Sequence, residues 1–314
     1  MERTSPHEKL QVLVVGGGLC GLATAISITL AGHRVSVFES TAHAHEVGAG
    51  LQSSPNGSRL YHRWGLTQAL EPLAAVPNVL EIHSSDGKVL AKRDDYDKEV
   101  LQRYGFPLWA LHRVDLQGAL LARAIELGVE VHYSSRVVDV TTDGAAAAGD
   151  ALTTLSPGPG ILLENGKKHG GDLVVVADGV WSSTRSLVLG RQIAPRPTGD
   201  MAYRITIDRE LVVDEGLVAW LNQPRVQIWI GPGAHAVAYS VRNCTLLNIV
   251  LLVKDDFDQD GLEASRAAGS VEEVQKLFEG WAPILTKMLK MVDKVDKWRL
   301  MHCELPKLHI DTDQ

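Results

Sequence analysis

Apolar and polar positions along this chain fall into two textures. From Leu10 to Phe38, a short apolar run (Leu10–Val15), a glycine turn, a helix-spaced stretch (about Leu19 to Ala31) and a second apolar run (His33–Phe38) follow one another, with Gly32 ending the helix. Unbroken apolar runs of that length suit parallel strands buried on both faces. Further on, Gly57–Trp64 reads as a helix entered through an irregular turn at Pro55–Asn56, and Val79–His83 and Lys88–Ala91 flank an Asp86–Gly87 turn as short strands. Leu116, Leu120, Ala124 and Leu127 recur at helical spacing, with Asp115 as cap and Gly128 as stop, and Val129–Val140 follows as a strand. Thr141–Gly160, rich in Ala, Gly, Thr and Pro, is expected to be a surface excursion in a hairpin. Ile161–Glu164, an Asn165–Gly166 turn and Asp172–Ala177 complete a strand-rich unit.

The second texture begins beyond Pro195. Ala202–Val213, Leu217–Leu221, Val226–Ile230, Ala236–Val241 and Leu246–Lys254 are short runs, several of them alternating, and they predict an antiparallel sheet in a second domain. Val271–Val292 reads as one amphipathic helix with an internal Pro283, and Val295–Met301 as one more strand. The chain is thus expected to be α/β, with a parallel-sheet domain over 1–194 carrying a strand insertion at about 73–108. A mostly antiparallel sheet domain then covers 195–301, and 302–314 forms an irregular tail.

The first turn carries chemistry. Gly16, Gly18 and Gly21 fill G-x-G-x-x-G between a strand and a helix, and Glu39 closes the next strand. In a Rossmann-like βαβ unit the first glycine permits the tight turn and the second lets backbone approach a pyrophosphate. The third lets helix and strand pack closely, and the acid meets the ribose hydroxyls. The helix N-terminus offers amides and a positive dipole end to the phosphates. An ADP half is common to NAD and FAD, so this segment alone leaves the two open.

Composition narrows the partners. The 314 residues are 45% apolar and 22% charged, with a formal net charge of −7. No basic block offers a face to a phosphate backbone, so no nucleic-acid partner is expected. Cys20, Cys244 and Cys303 are odd in number and far apart, which suggests neither a disulfide framework nor a zinc site. Met1–Leu10 has no apolar core of a signal peptide, and no stretch is long enough for a bilayer, so a soluble cytoplasmic protein is expected. His43-x-His45 followed by Glu46 lies in a polar loop and reads as solvated rather than as a metal site. The tract Lys287–Lys297 reads as a solvated helix face.

Two more segments complete the picture. In Asp172–Arg185 an apolar strand ends at Asp178–Gly179, and Arg185 opens a helix. Asp178 is placed either to bind a ribose or ordered groups near a pyrophosphate, or simply to form a turn and helix cap. In Leu111–Leu121, Arg113 precedes a helix, either as a bidentate phosphate donor or as a surface partner of Asp115.

In this order, GGGLCG with Glu39, VGAGLQSSPNGSR, HRVDLQGALL and VVVADGVWSSTR resemble the FAD-dependent aromatic hydroxylases, the salicylate hydroxylase-like single-component flavoprotein monooxygenases. The resemblance covers nearly the whole chain and favours FAD. It implies that Gly16, Gly18 and Gly21 cradle the pyrophosphate and Glu39 binds the adenosine ribose. Ala49 and Gly50 would give backbone contacts, Arg113 would contact the cofactor, and Asp178 would serve FAD and NAD(P)H handling. AYRITI (Ala202–Ile207) and Ile228–Asn243 resemble strands lining the substrate pocket, and Arg204 and Tyr239 match positions that orient a phenolate. The implied reaction is FAD-dependent hydroxylation of a small aromatic (phenolic) compound with NAD(P)H and O2, with a place in secondary metabolism.

One departure stands out: no Gly–Asp pair follows Met201, whereas the family carries a GDAAH-like segment beyond its substrate domain. A truncated, catalytically inactive nucleotide-binding fragment or interaction protein is therefore the rival expectation. A flavin-free NAD(P)-dependent dehydrogenase would leave the Asp178–Gly179 and Arg113 segments unexplained.

Overall fold

Val12, Leu13, Val14 and Val15 are at most 3% exposed, because their strand is covered on both faces as its unbroken apolar run requires. In the computed structural model, which describes residues 8–43, 48–141, 158–257 and 265–304, Gln11–Val15 pairs in parallel with Arg34–Phe38 on one side and Leu173–Val176 on the other. Glu130–His132 adds a fourth parallel strand beside Arg34–Phe38. The helix Leu19–Leu30 forms the crossover between the first two strands. Val137–Thr141, Gly160–Leu163 and Lys168–Gly170 make a separate three-stranded antiparallel sheet, and Leu13, Val15, Phe38, Val137, Ile161 and Leu163 share one apolar cluster.

The second unit is an eight-stranded sheet. Its core is a run of antiparallel pairs, Arg196–Asp208 with Leu246–Lys254, then Ala234–Val241, then Arg225–Gly231. Asp296–His302 and Arg266–Ala268 extend it beyond Arg196–Asp208. At the other side Val79–Ser84 joins in parallel to Arg225–Gly231, with Val89–Asp94 at the edge. Alternation sorts the side chains. Tyr203, Ile205, Trp229, Ala236, Ala238, Ile249 and Leu251 fill a core with helices Glu215–Asn222, Val271–Leu277 and Pro283–Lys290, while Arg204, Val250, Val237 and Ile228 fall on the other face.

The chain divides differently from the single break near residue 194 that its texture suggests. Among described residues, 8–43, 117–141, 158–196 and 302–304 form one unit, and 48–116, 197–257 and 265–301 the other. Residues 48–116 join the second because Val79–Ser84 is a strand of its sheet, not an insertion in the first.

Several elements depart from expectation for identifiable reasons. Leu217–Leu221 is helical: Asp214 caps the helix Glu215–Asn222 by accepting the Leu217 N–H at 3.0 Å, and Leu217, Trp220 and Leu221 bury one stripe. The expected helix Val271–Val292 is two helices: the first ends at Leu277, Gly280 turns the link with a φ of +76°, and Pro283 opens the second. Consequently Lys287–Lys297 is no single helix face, and Lys287 and Lys297 pair with Asp214 and Asp256. Val129–Val140 is two strands, broken where Ser134 takes a positive φ of 50°. Asp115 lies inside the helix Arg113–Glu126 rather than capping it. Most of the Thr141–Gly160 excursion, His45 and Glu46, and most of the 302–314 tail lie outside the described residues. Among the described residues no helix is long and apolar enough to cross a membrane, and no group of acids, histidines or cysteines has the form of a metal site.

Candidate functional site

In the first unit the glycine turn divides by role. Gly16 has φ +104°, and a Cβ there would lie 2.6 Å from the Ala177 carbonyl oxygen. A Cβ on Gly21 would lie 1.9 Å from the Gly16 carbonyl oxygen, so helix and turn touch backbone to backbone. Gly18 is different: its φ is −75° and nothing lies within 4 Å of a Cβ built there. It caps the helix Leu19–Leu30 with no side-chain acceptor for the first amides, which leaves them facing an open approach suited to an anion.

Glu39 is committed locally. Its carboxylate accepts the Gly17 N–H at 2.7 Å, the Thr41 N–H at 2.9 Å and hydroxyls of Thr41 at 3.0 Å and Ser40 at 3.3 Å. Burial pushes the carboxyl up, but the hydrogen bonds from Thr41, Gly17 and Ser40 outweigh it and hold Glu39 below its usual range. Oε1 takes the Thr41 and Ser40 bonds while Oε2 takes only the Gly17 N–H, so Oε2 retains capacity for a further donor.

Beside this turn lies a cavity of about 210 Å³ lined by Gly16, Phe38, Ser40, Ser135, Arg136, Asp178 and Trp181 among others. Asp178 Oδ2 accepts the Thr184 hydroxyl at 2.8 Å and its N–H at 3.3 Å. Its Oδ1 is buried with no partner among the described residues. An unpaired buried carboxylate oxygen is costly unless a donor arrives, and the cavity with this acceptor, beside a turn whose Gly18 is open, fits a nucleotide.

The second unit holds the other predicted residues. Ala49 is buried and its carbonyl accepts the Arg113 N–H at 3.0 Å, while Gly50 gives its N–H to Asn248 Oδ1 at 2.7 Å. A Cβ on Gly48 would meet the His112 ring at 3.0 Å, and one on Gly50 the Asn248 side chain at 2.6 Å. The glycines of this segment are thus already required by protein neighbours. Asp115 does not pair with Arg113; it forms a bidentate pair with Arg242, both bonds 2.8 Å.

Arg204 and Tyr239 share a sheet face, since Arg204 stands opposite Val250, Val250 opposite Val237, and Tyr239 lies two residues beyond Val237. They are close enough for each to alter the other's ionisation. Burial pushes the Tyr239 phenol up to about 12 against the opposing pull of Arg204, so it is protonated at neutral pH. Burial lowers Arg204, with Arg113 and Arg266 adding to that effect against Tyr239. No ion pair to Arg113, Arg204 or Arg266 forms among the described residues, and Arg204 Nε is buried without a partner.

Sequence reasoning missed Asn248, His112, Arg266 and Trp298. Asn248 is fully buried with Nδ2 unpartnered, and His112 Nδ1 is likewise buried and unpartnered. Burial, helped by Arg242, lowers the His112 imidazole, which favours its neutral form. A lone Asn within LLNIVLLVK is the one sequence signal that marks such a position. Trp298 stacks with the guanidiniums of Arg204 and Arg266, whose central carbons lie 4.4 Å and 4.0 Å from its ring centroid.

A parallel βαβ unit with this turn and cavity defines a dinucleotide-binding class, and comparison with known proteins specifies it. Residues 9–266 match the family described as FAD binding domain. Over 309 residues the chain is 43% identical to FAD-dependent monooxygenase OpS4 of Beauveria bassiana (strain ARSEF 2860), covering 96% of this chain and 68% of that protein. It is 35% identical to FAD-dependent monooxygenase atnJ of Arthrinium sp, covering 90% of this chain and 62% of that protein. Against 3-hydroxybenzoate 6-hydroxylase of Polaromonas naphthalenivorans (strain CJ2) identity is 30%, with coverages of 92% and 67%. The chain therefore spans roughly two thirds of the length of these relatives. A solved salicylate hydroxylase substrate complex superposes with a TM-score of 0.73 at 20% identity, over 95% of this chain and 70% of that one, which shows the shared fold. The chain belongs to the FAD-dependent monooxygenases of the FAD binding domain family. FAD is accordingly the cofactor, and the open Gly18 and unpaired Asp178 Oδ1 fit its nucleotide half.

Proposed function

We propose that this chain serves the hydroxylation of a small phenolic compound with FAD, NAD(P)H and O2. The observation that carries this reading is Arg204, in no ion pair among the described residues and with its Nε buried and unpartnered, on the same sheet face as a protonated Tyr239. Bound FAD would supply the redox chemistry, taking two electrons from NAD(P)H and passing them to O2 so that one oxygen atom reaches the ring and the other leaves as water.

The protein's own part is electrostatic. A guanidinium keeps its charge at every physiological pH and stabilises the ionised form of a phenol beside it, and an ionised ring is the more electron-rich. Tyr239, still carrying its proton, donates a hydrogen bond to the same oxygen. Val250, Val237 and Ile228 provide an apolar floor for the ring on that face. Gly16, Gly18, Gly21, Glu39 and Asp178 hold the nucleotide, and Arg113 meets the cofactor. Action on a phenol within a secondary pathway is consistent with the fungal origin of the relative at 43% identity.

The test is Arg204→Ala. Retained FAD with phenol-stimulated NAD(P)H oxidation reduced at least about tenfold, the worth of one charge-assisted contact, is the expected result. Unchanged turnover would remove Arg204 from the reaction.

A further inference from the structure

Trp298 sits on a strand flanked by two others: Arg266 stands directly opposite it on one side, and Arg204 lies on the strand at its other side. Both guanidiniums stack on its ring, at 4.0 Å and 4.4 Å from the centroid. Stacking of this kind attracts each cation to the indole and fixes the plane of its fork. It also explains how two like charges are held together with no carboxylate paired to either among the described residues. Arg113 adds a third charge near both, since it and Arg266 each act on the ionisation of Arg204. The charged and titratable groups felt at this face are therefore Arg113, Arg204, Arg266 and Tyr239. Such a cluster repels itself, and the repulsion is relieved when an anion enters.

We propose that Arg266 is a second anion-stabilising residue of the phenol site and that Trp298 is its positioning residue, clamping the guanidiniums of Arg204 and Arg266 so that both act on one bound phenolate. This rests on the Arg204 reading above and assigns two residues that reading does not use.

The probe is 4-nitrophenol, whose ionised form is yellow, titrated against pH on the full chain with FAD added. Wild type is expected to lower the apparent pKa of the bound probe by about one unit. Arg266→Gln should reverse roughly half of that depression, and Arg266→Lys, which keeps the charge without the planar fork, less of it. Trp298→Leu should act like Arg266→Gln, while Trp298→Phe, which keeps an aromatic face, should stay near wild type. A depression unaffected by Arg266→Gln and Trp298→Leu but abolished by Arg204→Ala overturns this inference alone. A wild-type protein that leaves the probe's pKa unmoved, or a depression that survives Arg204→Ala, overturns the underlying phenolate reading as well. Thermal unfolding of each variant separates a lost fold from a lost charge, and the two conservative variants keep the comparison available if Trp298→Leu fails to fold.

Discussion

Gly18 and Gly21 belong to one motif yet should fail in different ways. A Cβ on Gly21 would stand 1.9 Å from a backbone oxygen, and ordinary contact begins near 3.4 Å, so the helix Leu19–Leu30 must move about 1.5 Å from the turn. Neither partner is a flexible side chain that can swing aside. Overpacking of this severity costs about 1–3 kcal/mol, and Gly21→Ala should lower the unfolding midpoint with or without FAD. Gly18→Ala meets nothing within 4 Å and takes a φ of −75° that alanine adopts freely, so its unfolding midpoint should stay within about 0.5 kcal/mol of wild type. Its methyl group occupies the approach to the first helix amides, and FAD affinity should fall at least about tenfold, or ~1.4 kcal/mol. The assay is paired: thermal unfolding of the FAD-free chain, and equilibrium dialysis of FAD. Wild-type FAD affinity in Gly18→Ala would refute the claim that the pyrophosphate lies against this turn. Wild-type unfolding in Gly21→Ala would refute the backbone contact.

Other expectations follow from the second unit. Tyr239, raised from 10 to about 12 by burial, stays neutral in the folded protein while the unfolded chain ionises. Its contribution is intact below pH 10 and is lost as pH rises through about 12, so Tyr239→Phe should flatten that alkaline loss in a pH series of unfolding midpoints. Asp115 is lowered from 3.8, chiefly by its bond to Arg242. Its contribution is present above pH 3.8 and lost as pH falls through the lower folded value, and Asp115→Asn should make the acid limb of the same series shallower at a reduced stability. Asn248→Leu removes the acceptor of the Gly50 N–H and should cost about 1–3 kcal/mol in urea unfolding; no change would show that the N–H finds another partner.

Local patterns made the first unit legible. The strand, glycine turn, helix and second strand announce themselves within 30 residues, and their boundaries in the structure shift by a residue or so. Leu217–Leu221 misled because a five-residue apolar run does not reveal its period; only Asp214, read as a cap, turns it into a helix. The break at Pro283 was visible but its direction was not, since proline both ends and opens helices. The site was legible where a motif carried it and opaque where a sheet assembled it. Arg266 and Trp298 are ordinary residues in sequence, and they matter because three strands bring them beside Arg204. Their meeting is set by strand order, which periodicity cannot report.

The parallel pairing of Val79–Ser84 with Arg225–Gly231 also bears on how the protein is made. Arg225 lies opposite Val79, 146 positions later in the chain (225 − 79). A ribosome releasing the chain exposes the earlier strand, with Val79, Glu81 and His83 destined for burial, long before its partner emerges. Contacts that distant form slowly, and unpaired strands exposed in the meantime invite aggregation. The edge hairpin partner Val89–Asp94 is exposed along its whole length and carries Lys92, Arg93 and Asp94. Pairing with it covers one edge of Val79–Ser84 as soon as the hairpin is made, and its charges discourage foreign pairing at the hairpin's outer edge, so the edge that awaits Arg225–Gly231 is the one left open during synthesis.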